Sequence, residues 1–125
     1  MQIRFPLILD GATGTELQKR GFTGAVSAEE WVLAHPESIL DIQRRYVDAG
    51  SRVLYAPSFG ANRQKLEEHG IFNRVEEYNT GLVALSKQAA DGRAWVAGDI
   101  SPTGRFLAPL GDASFEELVD IYTEQ

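Results

Sequence analysis

Three short apolar runs, separated by longer helical patterns, constrain the fold of this chain more than any other feature. The runs cover residues 6–9, 51–57 and 94–100. Each has the length of a buried strand and ends in turn-forming residues, whereas the segments between them repeat apolar residues at helical spacing. Strands that are joined through helices run parallel and are connected by right-handed crossovers. The sequence therefore predicts an α/β fold with a parallel sheet.

Capping residues mark the predicted helix boundaries. Ser27 with Glu30, and Ser114 with Glu117, have the spacing of a capping box. Asn73 is a third candidate N-cap, because an Asn side chain can accept a hydrogen bond from a free amide of the first turn. Helices are predicted at residues 13–20, after Ser27, at 36–50, at 63–69, at 73–91 and after Ser114.

The number of strands indicates part of a larger fold. An eight-stranded β/α barrel takes ~250 residues, and about three βα units fit into the 125 residues of this chain. We expect residues 1–125 to form the amino-terminal portion of a TIM-type eight-stranded β/α barrel, as a partial domain that continues beyond the chain end. In such a partial barrel, some apolar side chains would point inward with no further strands to cover them. These are Leu7, Leu9, Val53, Tyr55 and Val96. The alternatives are a non-catalytic small β/α binding module and a half-barrel that assembles with a second copy.

Composition narrows the possible partners. A net charge of -6 and a pI near 4.8 argue against a nucleic-acid partner. No apolar run approaches the ~20 residues that cross a bilayer, and residues 1–5 lack a leader pattern, so the expected location is cytoplasmic and no membrane partner is expected. The chain contains no cysteine and only two histidines. His35 and His69 are interpreted as helix-end residues rather than metal ligands.

Candidate functional side chains follow each of the three predicted strands. Asp10 and Gly11 follow the first strand, Ser58 and Phe59 follow the second, and Asp99 lies at the end of the third. Because the carboxyl ends of parallel strands meet at one edge of a sheet, these residues are expected to lie close together.

Each candidate also has a structural interpretation. Asp10 could cap the turn at residues 11–15, Asp99 could bond the backbone amides of the turn at 101–104, and Phe59 could pack at the barrel mouth. The loop at 11–15 could instead bind a phosphate at a helix start, although it lacks the lysine of a P-loop and the third glycine of the dinucleotide motif.

Several motifs in order resemble the homocysteine S-methyltransferase family. Residues 9–18, with the sequence LDGATGTELQ, are similar to the opening motif of that domain. Residues 35–50, 58–66 and 97–104 are similar to its first long helix, its second loop and its third loop. The turn at 111–117 looks most like the branch that begins bacterial cobalamin-dependent methionine synthase. The sequence departs from the family at Ala56-Pro57, where Thr-Asn is usual, and at Ser101, where glycine is usual.

The resemblance implies that a zinc ion held by three cysteine thiolates binds homocysteine through sulfur, so that a thiol with an ordinary pKa of ~8.5 is presented as a thiolate. The product is methionine. The cysteines would lie beyond Gln125, so no metal is expected to be bound by this segment alone. No catalytic residue is expected here, and the substrate cradle would include Asp10, Gly11, Ser58, Phe59 and Asp99. Implied partners are the rest of the barrel and possibly cobalamin- and folate-binding domains that supply the methyl group.

Overall fold

A computed structural model describes residue 3 and residues 5–125 of the chain; of the amino-terminal stretch considered above, Met1, Gln2 and Arg4 lie outside the described residues. In chain order the elements are α1 (Gly14–Gln18), α2 (Ala28–Ala34), α3 (Pro36–Asp48), β1 (Val53–Tyr55), α4 (Arg63–Glu68), α5 (Val75–Ala90), β2 (Trp95–Ala97) and α6 (Phe115–Glu124). Each predicted helix is present, and so are the second and third predicted strands.

The sheet is parallel, as predicted. β1 pairs with β2 so that Leu54 stands opposite Val96. On the other side of β1, Leu9 forms a single parallel bridge to Val53. The expectation of a full strand at residues 6–9 was wrong, since this segment is held to β1 by the bridge and a few backbone hydrogen bonds, including Asp10 N to Val53 O at 2.9 Å. Only Leu9 of this segment forms a bridge to β1, whereas β1 and β2 pair over three residues each.

Helices α3 and α5 pack against one face of this sheet. Leu54 is fully buried there, in a cluster with Val47, Ala89 and Ala90. A second cluster joins α2, α3 and α5 and includes Val32, Ile39, Ile42, Tyr78 and Leu82. Burial of these apolar side chains is the main term that stabilises the arrangement.

The opposite face of the sheet is open. Leu9, Tyr55 and Trp95 are 46%, 40% and 41% exposed. The expectation that Val96 also points to this side was wrong. Val96 stands opposite the buried Leu54 and packs with it against the helices, because side chains alternate between the two faces of a strand. Trp95 and Ala97 belong to the open face instead.

Two of the three predicted helix caps are confirmed. Ser114 and Glu117 form the complete capping box of α6. The Ser27 hydroxyl accepts a hydrogen bond from the Glu30 amide at 3.1 Å, although α2 shows only this half of the predicted box. The N-cap prediction for Asn73 was wrong: its φ of 54° is left-handed rather than extended, and the N-cap of α5 is Arg74. Asn is one of the few residues that adopt this conformation readily.

Within residues 3 and 5–125, no helix has the length and apolar character needed to cross a membrane.

Candidate functional site

The ends of the three chain segments in the sheet meet at one edge, where the predicted site residues lie. Backbone hydrogen bonds set their spacing, such as Ala56 N to Ala97 O at 2.8 Å. This contact aligns the loop after β1 with the loop after β2. Asp10 follows the Leu9 bridge, so its side chain emerges on the same edge.

Asp10 is bonded to the neighbouring strand rather than to its own turn. Its Oδ2 accepts a hydrogen bond from the Tyr55 amide at 3.1 Å. The N-cap of α1 is Thr13, which makes no side-chain cap bond. Partial burial raises the pKa of Asp10 above its ordinary value; the Tyr55 amide and the amide of Asp10 itself lower it, and the negative charge of Asp99 adds to the rise. The structure therefore places Asp10 between the first two segments, with a carboxylate that is only half-buried.

Ser58 links the second loop to the third. Its hydroxyl donates to the Asp99 carbonyl at 2.9 Å and accepts from the Asp99 amide at 3.1 Å. Ser58 is buried, and its hydroxyl is engaged by backbone on both sides. The Asp99 side chain is not recorded in a hydrogen bond within the described residues, so its carboxylate is not tied to the turn that follows it. The Ser58 hydroxyl therefore fixes the backbone of Asp99, while the Asp99 carboxylate is left available at this edge of the sheet.

A cleft of about 270 Å³ lies beside this edge. Phe59 and Asp99 line it, together with Glu29 from α2. Phe59 is 55% exposed. The remaining lining residues come from α1, α2 and the end of β1: Thr13, Gly14, Leu17, Ala28, Tyr55, Ala56 and Pro57. Two of these described lining residues are charged: the Glu29 carboxylate, which accepts a hydrogen bond from the Gly60 amide, and the Asp99 carboxylate, which does not bond the protein in the described residues. None is cationic, so the Asp99 side of the cleft favours a ligand that carries a positive charge beside apolar groups.

Gly11 makes a close approach to a helix. An added Cβ at Gly11 would lie 2.9 Å from the hydroxyl oxygen of Tyr46, whose hydroxyl donates to the Ala12 carbonyl at 2.8 Å. Tyr46 on α3 thereby fixes the course of the loop that follows Asp10. The absence of a side chain at Gly11 is what allows this contact.

Glu29 is the residue that sequence reasoning missed. It is 7% exposed, lines the cleft, and its Oε1 accepts a hydrogen bond from the Gly60 amide at 2.7 Å. The sequence pattern nearby, Ser27 followed three residues later by a glutamate, predicts a capping role for Glu30 and nothing for Glu29. Only the contact between residues 29 and 60 identifies Glu29, and that contact is tertiary.

The two histidines lie away from the cleft lining. His35 is the C-cap of α2 and stacks on Trp31, and His69 is the C-cap of α4. Their interpretation as helix-end residues is therefore confirmed. No group of three or more His, Cys, Asp or Glu side chains in the described part of the chain is arranged to hold a metal ion.

The fold is that of a β/α protein, and the candidate site lies where its parallel strands end. The homocysteine S-methyltransferase family model matches residues 7–125, so the chain belongs to this family. Betaine–homocysteine S-methyltransferase 1 of Rattus norvegicus is 32% identical over 121 residues, covering 90% of this chain and 29% of the relative. Methionine synthase of Mycobacterium tuberculosis is 28% identical over 130 residues, covering 94% of this chain and 11% of the relative.

A solved structure is similar as well. The metallated form of the homocysteine methyltransferase MmuM from Escherichia coli superimposes with a TM-score of 0.78 at 25% identity, covering 94% of this chain and 48% of that chain. The α/β fold is thus shared with a homocysteine methyltransferase. The chain spans less than half the length of each of these three proteins.

Proposed function

We propose that residues 1–125 are the amino-terminal part of a homocysteine S-methyltransferase barrel and supply part of the substrate cradle. The reaction would transfer a methyl group to the thiol of homocysteine and give methionine. The observation that carries this proposal is the meeting of Asp10, Phe59 and Asp99 at one edge of the sheet, in a chain that belongs to this family. The cradle residues are Asp10, Gly11, Ser58, Phe59 and Asp99.

The chemistry of these side chains suits an amino acid that carries an ammonium group and an apolar stem. The carboxylates of Asp10 and Asp99 can accept hydrogen bonds from the ammonium, and charge-assisted bonds of this kind are the stronger ones. The exposed ring of Phe59 offers an apolar surface for the methylene groups. Ser58 would act indirectly, because its hydroxyl holds the Asp99 backbone.

The ligands of the proposed zinc ion would be residues outside this sequence. The described side chains form no set that fits zinc, and the chain contains no cysteine. When bound in the complete domain, zinc would favour the thiolate form of homocysteine. The methyl donor, whether cobalamin or another, would act through other domains. The chain is similar both to a betaine–homocysteine S-methyltransferase and to a methionine synthase, so the similarity does not select one donor.

The open face of the sheet supports the barrel interpretation. Parallel sheets are normally covered on both faces, and Leu9, Tyr55 and Trp95 form an apolar surface that further strands of a barrel would cover. A second copy of the chain could also cover this exposed apolar surface. The exposure therefore favours the self-assembling half-barrel as a second candidate. A cytoplasmic location stays a prediction from composition.

Replacement of Asp10 tests the proposed cradle. In the full-length enzyme, Asp10→Ala should weaken homocysteine binding or transition-state binding by ~1.5 to 3 kcal/mol, the range for a hydrogen bond to a charged group. Steady-state kinetics with homocysteine as the varied substrate would measure it. Asp120→Ala, which removes an exposed carboxylate on α6, is the matched control and should change neither KM nor kcat. A folded Asp10→Ala enzyme with unchanged KM and kcat would refute the role of Asp10.

A further inference from the structure

Glu29 has a nearly buried carboxylate and is not one of the proposed cradle residues. It is 7% exposed, and it forms no ion pair with the other described residues. A buried carboxylate that makes no hydrogen bond is costly, so a hydrogen-bond donor beside it is required. The first turn of α2 lowers that cost because a helix start favours negative charge. In the described part of the chain, the Glu29 carboxylate accepts one hydrogen bond, from the Gly60 amide at 2.7 Å.

The contact between Glu29 and Gly60 is close and specific. A Cβ added at Gly60 would lie 2.8 Å from Oε1 of Glu29, so a side chain at position 60 would displace the carboxylate. Gly60 lies directly after Phe59, which lines the cleft. On the other side of Phe59, Ser58 is fixed by the Asp99 backbone. Phe59 is thus held from both sides, by Ser58 before it and by Gly60 after it.

We propose that Glu29 is a positioning residue whose carboxylate fixes the loop of residues 58–62 and so keeps Phe59 against the ligand cleft. The inference deepens the proposed function and rests on it for the identity of the substrate. Glu29 acts through Gly60 and Phe59. The acceptor oxygen, rather than the negative charge, carries this role, since an amide oxygen at the same place would also accept the Gly60 hydrogen bond.

The test compares four forms of the full-length protein: wild type, Glu29→Gln, Glu29→Ala and Glu30→Ala. Glu30→Ala removes a carboxylate from the adjacent position of the same helix turn and is the matched control. Hydrogen exchange of the Gly60 amide, followed without substrate, reports the loop. Steady-state kinetics with homocysteine separate KM from kcat.

In Glu29→Ala, the Gly60 amide should exchange about tenfold faster or more, and KM for homocysteine should rise by about the same factor, with a smaller change in kcat. Glu29→Gln should stay near wild type in both measurements because it keeps the acceptor. Glu30→Ala should change neither. If Glu29→Ala does not fold, Glu29→Met, which fills the volume, takes its place with the same expectation.

Two results would overturn the proposal. One is an unchanged Gly60 exchange rate in Glu29→Ala or Glu29→Met. The other is a raised KM in Glu29→Gln with Gly60 still protected, which would mean that the charge of Glu29 itself contacts the substrate. If the wild-type enzyme does not methylate homocysteine, the proposed function fails, whereas Gly60 exchange still decides whether Glu29 fixes the loop.

Discussion

Adding one methyl group at Gly11 should destabilise the protein, although Gly11 lies on the surface. The new Cβ would lie 2.9 Å from the Tyr46 hydroxyl oxygen and 3.0 Å from Cε1 of the ring. The ring cannot move away freely, because its hydroxyl donates to the Ala12 carbonyl at 2.8 Å. Overpacking of this kind costs ~1 to 3 kcal/mol. We therefore expect Gly11→Ala to lower the free energy of unfolding by about that amount.

Gly14→Ala is the matched control for Gly11→Ala. No atom lies within 4 Å of a Cβ at Gly14, and Gly14 is the first residue of helix α1. Since alanine restricts the unfolded chain more than glycine does, Gly14→Ala should leave the stability unchanged or raise it by up to ~1 kcal/mol. Urea unfolding followed by circular dichroism measures both variants, with a constant m-value as the check on two-state behaviour.

A double-mutant cycle with Tyr46 identifies the cause. In a Tyr46→Ala background the ring is gone, so Gly11→Ala should then change the free energy of unfolding by less than ~0.5 kcal/mol, the usual range for a surface substitution without special contacts. Tyr46→Phe should restore only part of the loss, because Cε1 and Cζ would still lie 3.0 and 3.1 Å from the new methyl group. Equal stabilities of Gly11→Ala and Gly14→Ala, or a Gly11→Ala cost that persists without the ring, would refute the reasoning.

Two further predictions concern Asp10 and the open sheet face. Since partial burial raises the pKa of Asp10, this group favours folding below its ordinary pKa of 3.8 and loses that contribution as the pH rises through the folded-state pKa. Asp10→Asn should therefore gain stability relative to wild type between about pH 3 and pH 7, and a urea-midpoint difference that is the same at both pH values would contradict it. The 125-residue chain should self-associate through Leu9, Tyr55 and Trp95, and Trp95→Lys should reduce the association more than Val119→Lys, an exposed site on α6. Sedimentation velocity measures this, and a wild-type chain that is monomeric at all concentrations and unfolds cooperatively would show that the open face needs no cover.

Much of the fold could be predicted from the sequence because its signals are local. The apolar run at residues 51–57 and the helical spacing after Pro36 depend on neighbours within a few turns, and they correctly predicted the parallel strand β1 and the helix α3. The cap of α6 is equally local, since Ser114 and Glu117 satisfy each other's backbone amides. The convergence of Asp10, Ser58 and Asp99 followed from chain direction alone, as parallel strands end at the same edge.

What the sequence could not determine depends on contacts between distant residues. The burial of Glu29 and its hydrogen bond to Gly60 arise only when α2 packs beside the loop after β1. The close approach of Tyr46 to Gly11 also depends on helix packing. The sequence indicated Ser58 as a substrate contact, whereas in the structure its hydroxyl donates to the Asp99 carbonyl. The sequence by itself determined the order of elements and the edge of the sheet at which the candidate site lies, because periodicity and chain direction depend on residues that are close together in the sequence. Only the tertiary structure decided which side chains face the cleft and which hold others in place, because burial and hydrogen bonding between segments exist only once the helices have packed on the sheet.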